Sequence, residues 1–219
     1  MDKNNVRSRL EAVGIIPSIR TSSADDARFA VDAVSHAGIP IVEITMTVPG
    51  ALDVIAGLVR EFPDLVVGAG TVVDVDTARQ CIDAGASFLT SPGFSLEIVK
   101  FAVKENVLVM PGALTPTEIT AAWQAGADMV KVFPCAPFGG ESYFRAIRAP
   151  FPQVPFVAAG GVNQQTATDF ILAGAVAIGV GKELIPKKAV QERQIDWIAE
   201  LARRFVSLVK EARNLRAEG

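Results

Sequence analysis

Eight strand–helix units closed into one α/β barrel, a (β/α)8 fold, is the architecture this sequence predicts. Three observations carry the prediction. Eight short apolar runs, rich in β-branched residues, fall at 14–19, 40–45, 65–70, 87–91, 107–112, 128–133, 155–160 and 176–180. Their starts are about 20 to 27 residues apart, the spacing of βα units. Each run is almost continuously apolar, as parallel strands covered on both faces require. The segments between them, 25–36 and 76–84 for example, have helical periodicity. An open flavodoxin-like sheet is the competing arrangement, but it needs only about five strands. The 219 residues suit a single TIM-barrel domain over 1–219, with no composition shift or linker dividing it.

The chain signals its elements in order. Residues 1–13 are read as an N-terminal helix before the first strand. Ser23, Asp74, Ser95, Thr115 and Asn163 stand where helix N-caps are needed. Thr115-Pro116-Thr117-Glu118 has the spacing of a capping box, with proline in the first turn. At the other helix ends, Ala37-Gly38, Ala84-Gly85, Ala125-Gly126 and Ala173-Gly174 each precede a strand, and glycine accommodates the left-handed closing residue. Residues 190–219 are read as a C-terminal helix. Its face of Ile195, Ile198, Leu201, Phe205 and Leu208 is expected to pack on the barrel.

Composition excludes several function classes. Lys and Arg total 21 against 24 Asp and Glu, net −3, so no basic excess points to nucleic acid or an anionic membrane. No apolar run approaches the roughly 18 residues of a membrane span. Residues 1–14 are polar and unlike a signal peptide, and the expected location is cytoplasmic. Two cysteines, Cys81 and Cys135, are too few for a disulfide framework or zinc cluster. The single histidine, His36, rules out a two- or three-histidine catalytic zinc, and no metal or cofactor is expected. His36 closes a helix on the face away from the strand ends, where capping or packing is its expected role.

Barrel enzymes place chemistry at the C-terminal ends of their strands. Of eight lysines, only Lys131 lies inside an apolar strand, Met129-Val130-Lys131-Val132-Phe133. Alternation puts Met129, Lys131 and Phe133 on one face, pointing into the barrel. Burial favours a neutral amine, the form that attacks a carbonyl to make a Schiff base. A structural alternative is a buried lysine paired with a carboxylate. Glu43 is likewise one carboxylate in an apolar strand, Ile41-Val42-Glu43-Ile44-Thr45, and Thr45 and Thr47 share its face. An inward carboxylate is a candidate general acid/base; pairing with Lys131 or Arg20 is the alternative. Arg20 ends the first strand and can grip a carboxylate or phosphate at two points. Gly160-Gly161-Val162 and Gly179-Val180-Gly181-Lys182 follow the last two strands, where backbone N–H groups of barrels often bind phosphate. Cys135, near these loops, and Cys81, on a helix, are read as packing residues.

Together these stretches resemble the 2-dehydro-3-deoxy-phosphogluconate / 4-hydroxy-2-oxoglutarate aldolase family. The likeness runs over about residues 14–186. It is carried by Val42-Glu43-Ile44-Thr45, Gly68-Ala69-Gly70-Thr71, Ser91-Pro92-Gly93, Met110-Pro111-Gly112, Lys131-Val132-Phe133-Pro134 and Gly160-Gly161-Val162. The resemblance implies a class I aldolase, usually trimeric, acting on keto acids and releasing pyruvate. It implies that Lys131 is the Schiff-base lysine and Glu43 the proton carrier. Thr71 and Pro92 then lie around the pyruvate carboxylate and Phe133 forms an aromatic wall. Gly160, Gly161, Val162, Gly181 and Lys182 line the phosphate loops, and Thr45 and Arg20 complete the expected substrate-binding set. Several members have arginine where this chain has Thr47, and Arg20 is expected to take over that anion-binding work. Ala159 stands where threonine is common, and a serine is common near Gly181-Lys182. Two alternatives remain: a sugar-phosphate epimerase or isomerase using Glu43 as base, and a non-catalytic sensor of a phosphorylated sugar acid.

Overall fold

The computed structural model describes residues 2–218. Met1 and Gly219, which belong to the expected terminal helices, lie outside them. Nine parallel strands form one sheet: β1 (Ile15–Ile19), β2 (Ile41–Thr45), β3 (Val66–Gly70), β4 (Phe88–Thr90), β5 (Leu108–Met110), β6 (Gly112–Ala113), β7 (Val130–Val132), β8 (Phe156–Ala159) and β9 (Ala177–Val180). The order β5-β4-β3-β2-β1-β9-β8-β7-β6 follows the chain around a ring. β5 and β6 are halves of the fifth apolar run, divided at Pro111. Proline has no N–H to give the ladder. One half pairs with β4 and the other with β7, so the chain itself completes the ring. Lys131 N–H donates to the Pro111 carbonyl at 3.0 Å across this junction. The fold is the (β/α)8 barrel the eight runs predict.

Each strand except β5, which runs on into β6, is followed by a helix. These are α2 (Ala24–His36), α3 (Ala51–Glu61), α4 (Val75–Asp83), α5 (Leu96–Lys104), α6 (Pro116–Gln124), α7 (Gly140–Arg148), α8 (Ala167–Leu172) and the short α9 (Lys187–Gln191). The caps behave as their chemistry requires. Ser23, Asp74, Ser95 and Thr115 each accept a backbone N–H from the first turn, and Thr115 with Glu118 forms the full capping box. Asn163 differs. Its side chain accepts from Gln165 and Thr166 N–H at 2.9 and 3.1 Å, capping a turn that precedes α8 rather than α8 itself. Gly38, Gly85, Gly126 and Gly174 all adopt positive φ.

The N-terminal helix α1 spans Lys3–Val13. The C-terminal helix α10 is Ile195–Glu218, five residues shorter at its start than the reading from 190, because α9 and a turn closed by Arg193 at positive φ intervene. Ile198 and Phe205 are fully buried, as the apolar face predicts, and α10 lies against α8 and α2. Phe144, Phe156 and Phe170 meet edge to face between α7, β8 and α8, with ring centroids 6.1 and 5.8 Å apart. No described helix is long and apolar enough to cross a membrane.

Candidate active site

A cavity of about 410 Å³ opens at the C-terminal ends of the strands. Ser18 from β1, Glu43 from β2, Thr90 from β4, Met110 from β5, Lys131 from β7 and Val157 and Ala159 from β8 line it. Glu43 is only 4% exposed. Its Oε1 accepts from the Ser18 hydroxyl and its Oε2 from the Thr90 hydroxyl, both at 2.8 Å. Glu43 reaches Thr90 over β3 because Gly70 presents no side chain there. A Cβ on Gly70 would sit 2.3 Å from Glu43 Oε1, inside any permitted contact. The partners of Glu43 are therefore two hydroxyls, in place of the Lys131 or Arg20 pairing that was the structural alternative to an acid/base role.

Lys131 lies mid-strand on β7, between Gly112 and Val157 in register. Parity turns it inward as predicted, but the side chain is half-buried rather than fully enclosed. Its Nζ stands 5.1 Å from the Phe133 ring centroid. Among the described residues it forms no ion pair, so the reading of a lysine kept for a structural salt bridge has no support. The ring of Phe133 faces the same cavity, and the Phe133–Pro134 peptide is cis.

Arg20 stands at the rim. Its guanidinium donates to the Thr47 and Thr71 hydroxyls, each at 3.2 Å, linking the ends of β1, β2 and β3. Thr71 adopts φ +60°, an uncommon conformation for a β-branched residue, and it lines the cavity. Thr45 is the exception among the expected site residues. It is fully buried and outside the cavity lining, its hydroxyl taken up by the Ile19 carbonyl at 3.0 Å and Thr47 at 2.8 Å. There it ties β2 to β1 beneath Arg20.

Pro92, Gly160, Gly161, Val162, Gly181 and Lys182 all line the cavity. Gly160 and Gly161 have φ +85° and +94°, and a Cβ on either would strike Pro134 or Ala136, so this loop can be built only from glycine. Lys182 carries its side chain into solvent, 88% exposed, with Glu183 at 3.9 Å. Cys81 and Cys135 are buried, and desolvation pushes their thiols up to about 11 and about 12. His36 sits exposed at the end of α2, its Nδ1 2.8 Å from the Asp32 carbonyl, away from the cavity. No group of three His, Cys, Asp or Glu residues suited to a metal occurs among the described residues. The expected set omitted Ser18, Thr90 and Gly70, which together define where Glu43 can be.

A sequence model of the KDPG and KHG aldolase family matches residues 6–201. The chain belongs to this family. The 2-dehydro-3-deoxy-phosphogluconate aldolase of Treponema pallidum is 30% identical over 200 residues, covering 91% of this chain and 95% of that protein. The Pseudomonas aeruginosa enzyme of the same name is 32% identical over 199 residues, covering 91% and 90%. The crystal structure of KDPG aldolase from Legionella pneumophila, with pyruvate captured as a covalent carbinolamine intermediate, superposes with a TM-score of 0.84 at 30% identity. It covers 90% of this chain and 96% of that one. Membership in the KDPG and KHG aldolases favours the aldolase expectation over the epimerase and sensor alternatives.

Proposed function

We propose that this chain is a class I aldolase of keto-acid metabolism. It cleaves 2-dehydro-3-deoxy-6-phosphogluconate to pyruvate and glyceraldehyde 3-phosphate, or 4-hydroxy-2-oxoglutarate to pyruvate and glyoxylate. The observation that carries the reading is Lys131, a lysine in an apolar strand with no ion pair among the described residues, opening on the same cavity as the buried carboxylate of Glu43. The names of the relatives supply the substrate class.

The Lys131 amine, once neutral, attacks the C2 ketone, and loss of water leaves an iminium. Glu43 takes the proton of the C4 hydroxyl. The C3–C4 bond breaks, its electron pair passes into the iminium, and the aldehyde departs from an enamine. A proton from Glu43 then adds at C3, and water releases pyruvate and the free lysine. Arg20, anchored by Thr47 and Thr71, supplies the cation that grips a substrate anion. Pro92 and Phe133 form walls of the site. Gly160, Gly161, Val162 and Gly181 offer backbone N–H groups to a phosphate, with Lys182 adding charge from solvent. The resemblance to the family supports a homotrimer, one aldolase domain over 1–219 and a cytoplasmic location.

The reading is tested by pyruvate release from the two keto acids, monitored with lactate dehydrogenase and NADH. Turnover of either, abolished in Lys131→Met, is the expected result. Turnover by Lys131→Met at the parent rate would overturn it.

A further inference from the structure

Glu43 reaches into the cavity on a flexible side chain, yet both carboxylate oxygens are fixed from opposite sides. Ser18, on β1, donates to Oε1, and Thr90, two strands away on β4, donates to Oε2, each at 2.8 Å. Neither hydroxyl has another acceptor among the described residues, so each proton is committed to Glu43. Both hydroxyls stand in otherwise apolar strands, Ile-Ile-Pro-Ser-Ile and Phe-Leu-Thr. Thr90 is 2% exposed. A polar group so placed is stable only if it is hydrogen-bonded, and an ionised carboxylate is a pure acceptor. Each oxygen can accept a second bond after the hydroxyl is satisfied. The geometry therefore fixes the carboxylate plane while leaving acceptor capacity for a substrate proton.

We propose that Ser18 and Thr90 are positioning residues that hold Glu43 for proton transfer at C3 of the Lys131-bound intermediate. The proposal rests on the reading of Glu43 as the proton carrier. It concerns one partial reaction. With pyruvate alone, Lys131 forms the iminium and Glu43 removes a methyl proton, leaving the neutral enamine. In deuterium oxide the carboxyl proton exchanges, a deuteron returns to C3, and hydrolysis frees deuterated pyruvate. Iminium formation needs Lys131; methyl exchange needs Glu43 as well. A positioning role separates the two.

The full-length protein is incubated with saturating pyruvate in deuterium oxide. Methyl deuteration is followed by NMR, and the end-point of borohydride trapping is read by intact mass. Ser18→Ala and Thr90→Val are each expected to slow exchange about tenfold, the effect of one lost hydrogen bond to a charged group, with trapping unchanged. Thr90→Ser restores the hydroxyl and is expected to exchange at nearly the parent rate. Glu43→Gln is expected to trap pyruvate without exchanging it. Exchange within about twofold of the parent in both hydroxyl variants, with Glu43→Gln inactive, would overturn the proposal alone. Exchange and trapping falling together would also overturn it, by assigning the hydroxyls to the fold. Parent-rate exchange in Glu43→Gln would overturn the reading of Glu43 beneath it.

Discussion

Gly70→Ala is the smallest change that disturbs the centre of the site, and its effect can be worked from contacts. The added methyl would lie 2.3 Å from Glu43 Oε1, 2.5 Å from Cδ and 2.7 Å from Cγ. Ordinary carbon contacts are about 3.5–4.0 Å, so Glu43 must move by roughly 1 Å. Glu43 cannot move freely, because Ser18 and Thr90 hold its two oxygens. A hydrogen bond to a charged group contributes about 1.5–3 kcal/mol, and overpacking costs about 1–3 kcal/mol. We expect a loss of about 2–3 kcal/mol of stability. The sign is informative. Gly70 is not at positive φ, and glycine to alanine at a permissive position stabilises by about 0.4–1 kcal/mol through the unfolded chain. Urea unfolding of Gly70→Ala, Glu43→Ala and the double variant isolates the collision. In the Glu43→Ala background the alanine should be neutral or stabilising, giving a coupling of about 2 kcal/mol or more. Pyruvate release should fall about a hundredfold, the scale of a 1 Å misplacement of a reacting group. Equal cost of the alanine in both backgrounds would refute the steric argument.

Three further expectations concern other parts of the molecule. Arg20→Ala should raise KM for an anionic keto acid roughly tenfold with a smaller change in kcat, the mark of a lost charge-assisted contact; an unchanged KM in steady-state kinetics would remove Arg20 from anion binding. The thiols of Cys81 and Cys135 are raised to about 11 and about 12 by burial, so at pH 8 about one thiol in a thousand and one in ten thousand is ionised. Thiol titration should therefore find neither cysteine in the native protein and both after denaturation, and rapid native labelling would contradict this. Hydrogen bonds from Leu114 N–H, and then from Thr115, hold Glu118 below the usual carboxylate range. Glu118→Ala should cost about 1 kcal/mol near neutral pH. A depressed carboxylate stabilises above its unfolded value of about 4.3, so the gap between parent and variant should close as pH falls through the lower folded value. A gap that widens in acid would reverse the assignment.

The barrel was legible because its signals are local. Apolar runs, helix caps and the Ala-Gly closures each depend on residues a few positions apart; strand starts agree within a residue or two, and of the caps only Asn163 falls short of its helix. Pro111 was visible inside the fifth run, but its division into β5 and β6 depends on which neighbour each half pairs with. The extra helix α9 also escaped, since its five residues leave little periodicity to read. Strand parity placed Lys131 and Glu43 correctly at the cavity. Parity gives no sign that Thr45, which shares a face with Glu43 but lies beyond it along the strand, spends its hydroxyl on the Ile19 carbonyl. The Ser18–Glu43–Thr90 arrangement depends on strand register across the barrel and on Gly70 leaving space between. Ser18 and Thr90 are each visible as hydroxyls near strand ends, yet only the folded chain shows that both meet one carboxylate.

The central claim is that Lys131 forms a Schiff base with a keto acid. Borohydride reduction in the presence of pyruvate, followed by intact mass and peptide mapping, tests it most directly. The account predicts one pyruvyl adduct per chain, on Lys131 and absent from Lys131→Met. A folded protein that gives no adduct, or one carrying it on another lysine, would contradict the account.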